Sequence, residues 1–174
     1  MLFRSLARFA DLGVVGVFQP LWARLDDYMR MTGVRVGPAR LAAMYPSGSL
    51  IRAGSKVAYG SDWSVASANP FEGIEVALTR RDPGATQGEQ LAPGERITLD
   101  QAIENYTLNS AYAIHKDGVT GSIEAGKSAD LVVLDQDLFR IPANQIAKTK
   151  VLLTVFAGAA VHGDFAALSP AKSE

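Results

Sequence analysis

Two short apolar runs, Val14-Val15-Gly16-Val17-Phe18 and Lys56-Val57-Ala58-Tyr59-Gly60, set the strongest limit on what this chain can fold into. Each is too short for a helix, and the first, rich in β-branched valine, ends at Gln19-Pro20; such runs suit strands buried on both faces. Helical patterns lie between and after them: Leu21 to Met31, Pro38 to Tyr45 with proline in a tolerated first turn, and Phe71 to Thr79. Strands alternating with helices argue a parallel α/β sheet. Two such units cannot close a sheet on themselves.

The flanking segments extend this reading. Phe3 to Asp11 has the spacing of an amphipathic helix end, stopped by Gly13. Arg80 to Arg96 is rich in Gly, Pro and charge, and reads as a long exposed loop whose Arg80-Arg81 needs no partner. Thr98-Leu99-Asp100-Gln101 matches a capping box, and the helix it opens is expected to run to about His115, burying Ala102, Ile103, Tyr106, Ala113 and Ile114. Beyond Gly118 and Gly121 the texture changes to short strands: Leu131 to Leu134, Lys150 to Phe156 and Ala160 to His162. The division expected is therefore 1–117 for the α/β part, 118–164 for the β-rich part, and a disordered tail over 165–174.

Composition narrows the function. The net charge of -1 gives no electrostatic reason to expect nucleic acid or an anionic membrane as partner. There is no cysteine, so disulfides and thiolate metal sites are excluded. A metal would have to be held by His, carboxylates, carbonyls or water. Arg4, Arg8 and Asp11 interrupt the N-terminal apolar residues, unlike the unbroken stretch of about 7–15 residues in a signal peptide. No apolar run approaches the roughly 20 residues of a membrane span, which leaves the cytoplasm as the default location.

In parallel α/β proteins, function collects at the C-terminal ends of strands. Asp62 stands there, just past Gly60-Ser61, where it can reach a ligand or else cap a local turn. Gln19 ends the first strand and Trp63 follows Asp62; both are candidate substrate contacts, with packing the competing role for the tryptophan. Ser61 and Ser64 have no histidine nearby in sequence to activate them.

Several separated motifs carry a resemblance. Tyr59-Gly60-Ser61-Asp62-Trp63-Ser64 with Asn69-Pro70 resembles the last barrel strand of the metal-dependent amidohydrolases. Gly121-Ser122-Ile123-Glu124-Ala125-Gly126-Lys127-Ser128-Ala129-Asp130-Leu131-Val132-Val133-Leu134-Asp135 resembles the return of that family's chain into a small β-sandwich. Leu12 to Val15 with Gln19-Pro20-Leu21-Trp22 resembles its penultimate barrel strand, and Thr154 to Gly163 its closing sandwich strands. The similarity is greatest to the amidohydrolase-3 branch, with its YtcJ-like and N-substituted-formamide-deformylase-like hydrolases.

The resemblance implies an α/β fold: the last two β/α units of a TIM-type barrel, then part of a C-terminal β-sandwich. It implies hydrolysis of a C–N bond in a small non-peptide or cyclic amide by metal-activated water. Asp62 would be metal ligand and proton shuttle, and the divalent metal, zinc by first choice, would belong to the complete enzyme. The departures from the family pattern are equally specific. The family's metal centre uses a His-x-His pair, a bridging lysine or glutamate, and further histidines; this chain has two histidines, His115 and His162, and neither stands at a strand end where a ligand should be. A (β/α)8 barrel takes about 250 residues, and this chain has room for two units of it. The start at Met1, just after where the last metal-binding histidine would fall, is expected of a truncated reading frame or an expressed piece. The isolated chain is then expected to be inactive and to hold no metal alone, or to need a second copy or a complementing barrel fragment to cover its open edge.

Overall fold

The computed structural model describes residues 5–168. Helix α1 spans Ala7–Asp11, and the chain turns out of it through Gly13 at φ +64. The first two residues of the predicted helical stretch, Phe3 and Arg4, lie outside the described residues. Strand β1 spans Gly16–Phe18, shorter than the predicted run. The next helix is displaced from expectation. Pro20–Trp22 forms a 3-10 turn, and α2 spans Asp27–Val36 because Asp26 Oδ1 accepts from the Met29 amide at 2.8 Å, fixing the start. Helix α3, Pro38–Leu41, is a single turn opened by its proline.

Helix α4, Ser47–Arg52, was not anticipated. Its own N-cap, Pro46, supplies no side-chain acceptor. The cap comes from far along the chain: the Glu95 carboxylate accepts from the Ser49 amide at 2.7 Å and from the Ser49 hydroxyl. A negative charge at a helix N-terminus satisfies orphan N–H groups and opposes the dipole favourably. Strand β2 spans Val57–Tyr59, and α5 spans Pro70–Thr79, with Asn69 Oδ1 accepting from the Phe71 amide at 3.1 Å and Pro70 in the first turn.

The capping box at Thr98 and Gln101 forms as predicted, but the helix after it is two helices. Helix α6, Leu99–Tyr106, breaks at Thr107, whose ψ of -91° leaves the helical range, and α7 covers Leu108–Ala113. Of the residues expected to be buried, Ala102 is; Ile103, Tyr106 and Ala113 are half-buried, and Ile114 is exposed just past the helix end. Strands β3 (Leu131–Leu134), β4 (Val151–Phe156) and β5 (Ala159–His162) follow, separated by a 3-10 stretch at Ala143–Lys148. The expected tail begins with a 3-10 turn over Phe165–Leu168; its remainder lies outside the described residues.

The strands make two sheets. β1 and β2 pair in parallel, with Gly16 opposite Val57 and Phe18 opposite Tyr59. β3, β4 and β5 form an antiparallel meander. The main core joins Leu50, Val57, Tyr59, Phe71, Ile74 and Ala102 with Leu138 and Ile146, so it draws on residues from both sides of the predicted division at 117. Within it the Tyr59 and Tyr106 rings meet edge to face at 5.4 Å. Burial of β1 is incomplete: Val17 is 60% exposed, since β1 has one neighbouring strand and Val17 points to a face that nothing covers among the described residues. No helix among the described residues is long and apolar enough to cross a membrane.

The stretch from Arg80 to Arg96 departs most from expectation. Leu91, Ala92 and Glu95 are buried, and Arg80 is 1% exposed. The Arg80 guanidinium donates to the carbonyls of Leu91 (2.7 Å), Met44 (2.9 Å) and Tyr45 (3.2 Å). Burial lowers its pKa to about 10 against the opposing pull of Tyr59 and Glu95, and three carbonyl acceptors in a fork suit the charged form. Glu75, also fully buried, accepts from the backbone amides of Gly84 and, at 2.8 Å, Ala147. What reads as a solvated loop is thus pinned by buried charged groups: Arg80 and Glu75 through main-chain atoms, and Glu95 through the Ser49 amide and hydroxyl.

Candidate active site at the strand ends

Parallel pairing brings the ends of β1 and β2 to the same side of their sheet. The Gly60 amide donates to the Phe18 carbonyl at 3.1 Å, which continues the ladder one step and leaves Gln19 and Ser61 as the next residues of the two chains. Gln19 is half-buried at the mouth of the 3-10 turn, and its carbonyl accepts from the Trp22 amide. After Gly60 the chain turns sharply. Ser61 Oγ accepts from the Trp63 amide at 3.2 Å, and the Asp62 carbonyl accepts from the Val65 amide at 2.8 Å.

Asp62 itself sits at φ +55, the left-handed region that aspartate tolerates better than most residues. Its backbone closes the turn, while its carboxylate is exposed and does not cap a neighbouring amide, so the turn uses the main chain of Asp62 and leaves the side chain free. Trp63, 73% exposed, flanks it rather than filling the core. The structure therefore gathers the predicted residues Gln19, Asp62 and Trp63 at one end of the two-stranded sheet.

One positioning residue escaped the sequence reading. Ser110, on α7, donates its hydroxyl to the Tyr59 carbonyl at 2.9 Å and lies 2.7 Å from the Asn105 carbonyl. It ties the last residue of β2 to the helix pair and so fixes the origin of the turn that carries Asp62. Its only sequence signal is a small polar residue directly before Ala111.

The metal question turns on convergence. A catalytic metal takes at least three protein ligands aimed at one point. Among the described residues, no three His, Asp or Glu side chains come together so as to hold one. His115 lies two residues past the end of α7 at φ +58, not in its last turn as expected, and His162 is on β5 with Nε2 3.3 Å from the Val151 carbonyl. The described residues do not by themselves fit a metal centre. A groove of about 860 Å³, which Asp62 does not line, runs between α6–α7 and the segments around Ile123 and Val132. Its walls are mostly apolar, and it lacks the convergent polar groups of a catalytic pocket.

Comparison with known proteins bears on this arrangement. The model of the amidohydrolase family matches residues 1–162. The chain is 35% identical to N-substituted formamide deformylase of Arthrobacter pascens over 155 residues, covering 87% of this chain and 27% of that protein. It is 31% identical to the putative amidohydrolase YtcJ of Bacillus subtilis, covering 74% of this chain and 24% of that protein. An uncharacterized metal-dependent hydrolase from Pyrococcus furiosus superposes with a TM-score of 0.63 at 26% identity, over 76% of this chain and 26% of that one. The chain thus spans about a quarter of the length of these relatives. The match over nearly the whole chain, with the strand-end motif inside it, means that this chain belongs to the amidohydrolase family, in its amidohydrolase-3 branch.

Proposed function

We propose that this chain is the C-terminal portion of an amidohydrolase that cleaves a C–N bond in a small non-peptide or cyclic amide. The observation that carries the reading is Asp62: an exposed carboxylate, free of local hydrogen bonds, past the C-terminal end of a parallel strand. In this reading β1 and β2 are the last two strands of a barrel and β3–β5 belong to a β-sandwich beside it. Asp62 accepts a proton from the attacking water and returns it to the leaving nitrogen as the C–N bond breaks. It is also this chain's one candidate metal ligand. A divalent metal, zinc by preference, would supply Lewis-acid polarisation, and its other ligands would come from residues outside this chain. Gln19 and Trp63 would contact the substrate.

A second reading has its own support. β1 has one neighbouring strand among the described residues, Val17 is exposed on it, and the described residues hold no metal-ligand cluster. An inactive fragment, or a subunit completed by a second copy or a barrel fragment, accounts for these features equally.

The test takes the natural product, captured from its own cells with an antibody to this segment. Its intact mass is measured, then its hydrolysis of N-substituted formamides and cyclic amides with and without chelator. A mass well above 18.5 kDa, with chelator-sensitive activity that Asp62→Asn lowers by about 100-fold or more, is the expected result. Full activity in Asp62→Asn overturns the role of Asp62. A mass near 18.5 kDa without activity favours the second reading.

A further inference from the structure

A second polar site lies at the opposite end of β2 from Asp62. A cavity of about 210 Å³ opens where the chain enters the strand, between Ser55 and Val57 on one side and α6–α7 on the other. Three of its lining residues are more than nine-tenths buried yet carry polar atoms with no hydrogen-bond partner: Ser55 Oγ, Asn109 Oδ1 and Asn105 Nδ2. Asn109 Nδ2 is already spent on Asn105 Oδ1, at 3.1 Å. Asn105 also borders the Tyr59 hydroxyl, so Ser55 and Asn109 chiefly define the polarity of the cavity. Buried polar atoms lose their water on folding and gain nothing unless something meets them.

The chemistry of the occupant follows from these atoms. Asn109 Oδ1 only accepts, so it can take an N–H or O–H donor; the Ser55 hydroxyl can donate to a carbonyl. The charges at the rim, Lys56 and Glu104, are of opposite sign, and the Lys56 ammonium is drawn aside over the Tyr112 ring at 4.8 Å, so nothing selects an ion. Ile51 and Val57 add apolar wall.

We infer that this cavity is a socket for a neutral amide group, one N–H and one C=O together. Two sources carry that group. One is a free small amide. The other is a main-chain peptide group of the longer hydrolase proposed above. The second source rests on that reading; the first does not.

The experiment is an NMR titration of the 174-residue chain with acetamide, and with N,N-dimethylacetamide as the analogue lacking N–H. Saturable shifts are expected at the Asn109 side-chain amide and the Ser55 backbone amide. Binding of N,N-dimethylacetamide should be about tenfold weaker, as should acetamide binding to Ser55→Ala and Asn109→Leu, each having lost one hydrogen bond. Ser55→Ala, the milder change, decides the matter if Asn109→Leu does not fold. Asp62→Asn should bind acetamide unchanged, which separates this socket from the hydrolytic reading. No saturable shift, or equal binding of the two amides, overturns the inference and leaves water in the cavity. In the full-length product, signals already at the acetamide-bound position identify a peptide group as occupant, and signals that still titrate identify a free amide. Signals that do neither overturn it.

Discussion

Removing the Arg80 guanidinium is the sharpest test of how this fold is held together. Its three donors meet the carbonyls of Met44, Tyr45 and Leu91, and the Tyr45 carbonyl also accepts from the Ser47 amide at 2.8 Å. Lysine at this position offers a point charge on a flexible stem and can serve one of the three carbonyls well. The carbonyls it does not reach lose a donor, at about 1–1.5 kcal/mol each where no second donor remains, so Arg80→Lys should cost roughly 1–3 kcal/mol. Arg80→Ala also empties the volume of a buried side chain, and should cost roughly 4–5 kcal/mol. For a domain of this size, the lysine variant should melt roughly 2–12 °C lower. Urea denaturation, with the midpoint and slope measured together, separates lost stability from a changed unfolded state. Arg81→Ala is the control: Arg81 donates to the Gly88 carbonyl at an exposed site, and its loss should cost below about 1 kcal/mol. If Arg80→Lys falls within about 0.5 kcal/mol of the parent chain, Arg80 is a solvated surface residue and the reasoning fails.

Other expectations follow from single contacts. A Cβ at Gly121, where φ is +92, would lie 2.7 Å from the Ala111 Cβ and 3.0 Å from the Leu108 Cα, whereas Gly126 at the same φ faces open space. Gly121→Ala should therefore destabilise by about 1–3 kcal/mol more than Gly126→Ala in the same denaturation assay; equal costs would show that backbone strain alone matters. Ser110→Ala removes the donor to the Tyr59 carbonyl and should cost about 1–2 kcal/mol, with faster hydrogen exchange at the Gly60 amide than at the Met29 amide; uniform exchange would refute a local hold on the strand end. The Asp130 carboxylate is held below its ordinary range chiefly by the Ala157 amide, with help from the Ser128 and Thr120 hydroxyls. Since its folded pKa is depressed, its contribution is complete above the unfolded value of about 3.8 and is lost as pH falls below it. Asp130→Asn should flatten the fall in melting temperature between about pH 4.5 and 2.5, and an unchanged slope would count against the tie.

Features governed by neighbours in sequence were legible without a structure. The β2 and α5 boundaries, the capping box at Thr98 and Gln101, and the strands from Leu131 onward depend on side-chain period, on a polar residue three positions away, or on proline in a first turn. Asp62 was legible for the same reason: a short apolar run followed by Gly60-Ser61 marks a strand end, and a carboxylate there is conspicuous. The structure then showed its side chain released from the turn, which no local pattern distinguishes from a cap.

What depended on distant partners was not legible. The cap of α4 comes from Glu95, 46 residues later in the chain, so Ser47–Arg52 gave no start signal of its own. Arg80 looked like the edge of a solvated loop because the carbonyls that receive it belong to residues 35 and 36 positions earlier and 11 later. The break at Thr107 interrupts a run with helical pattern throughout, and Ser110 on the second piece grips β2 across that bend. Propensity, capping and the family motifs are properties of a few adjacent residues, and the amino-acid order carries them directly. Whether a charged group is buried, and against which backbone oxygen, is settled only when the chain brings remote segments within hydrogen-bond distance.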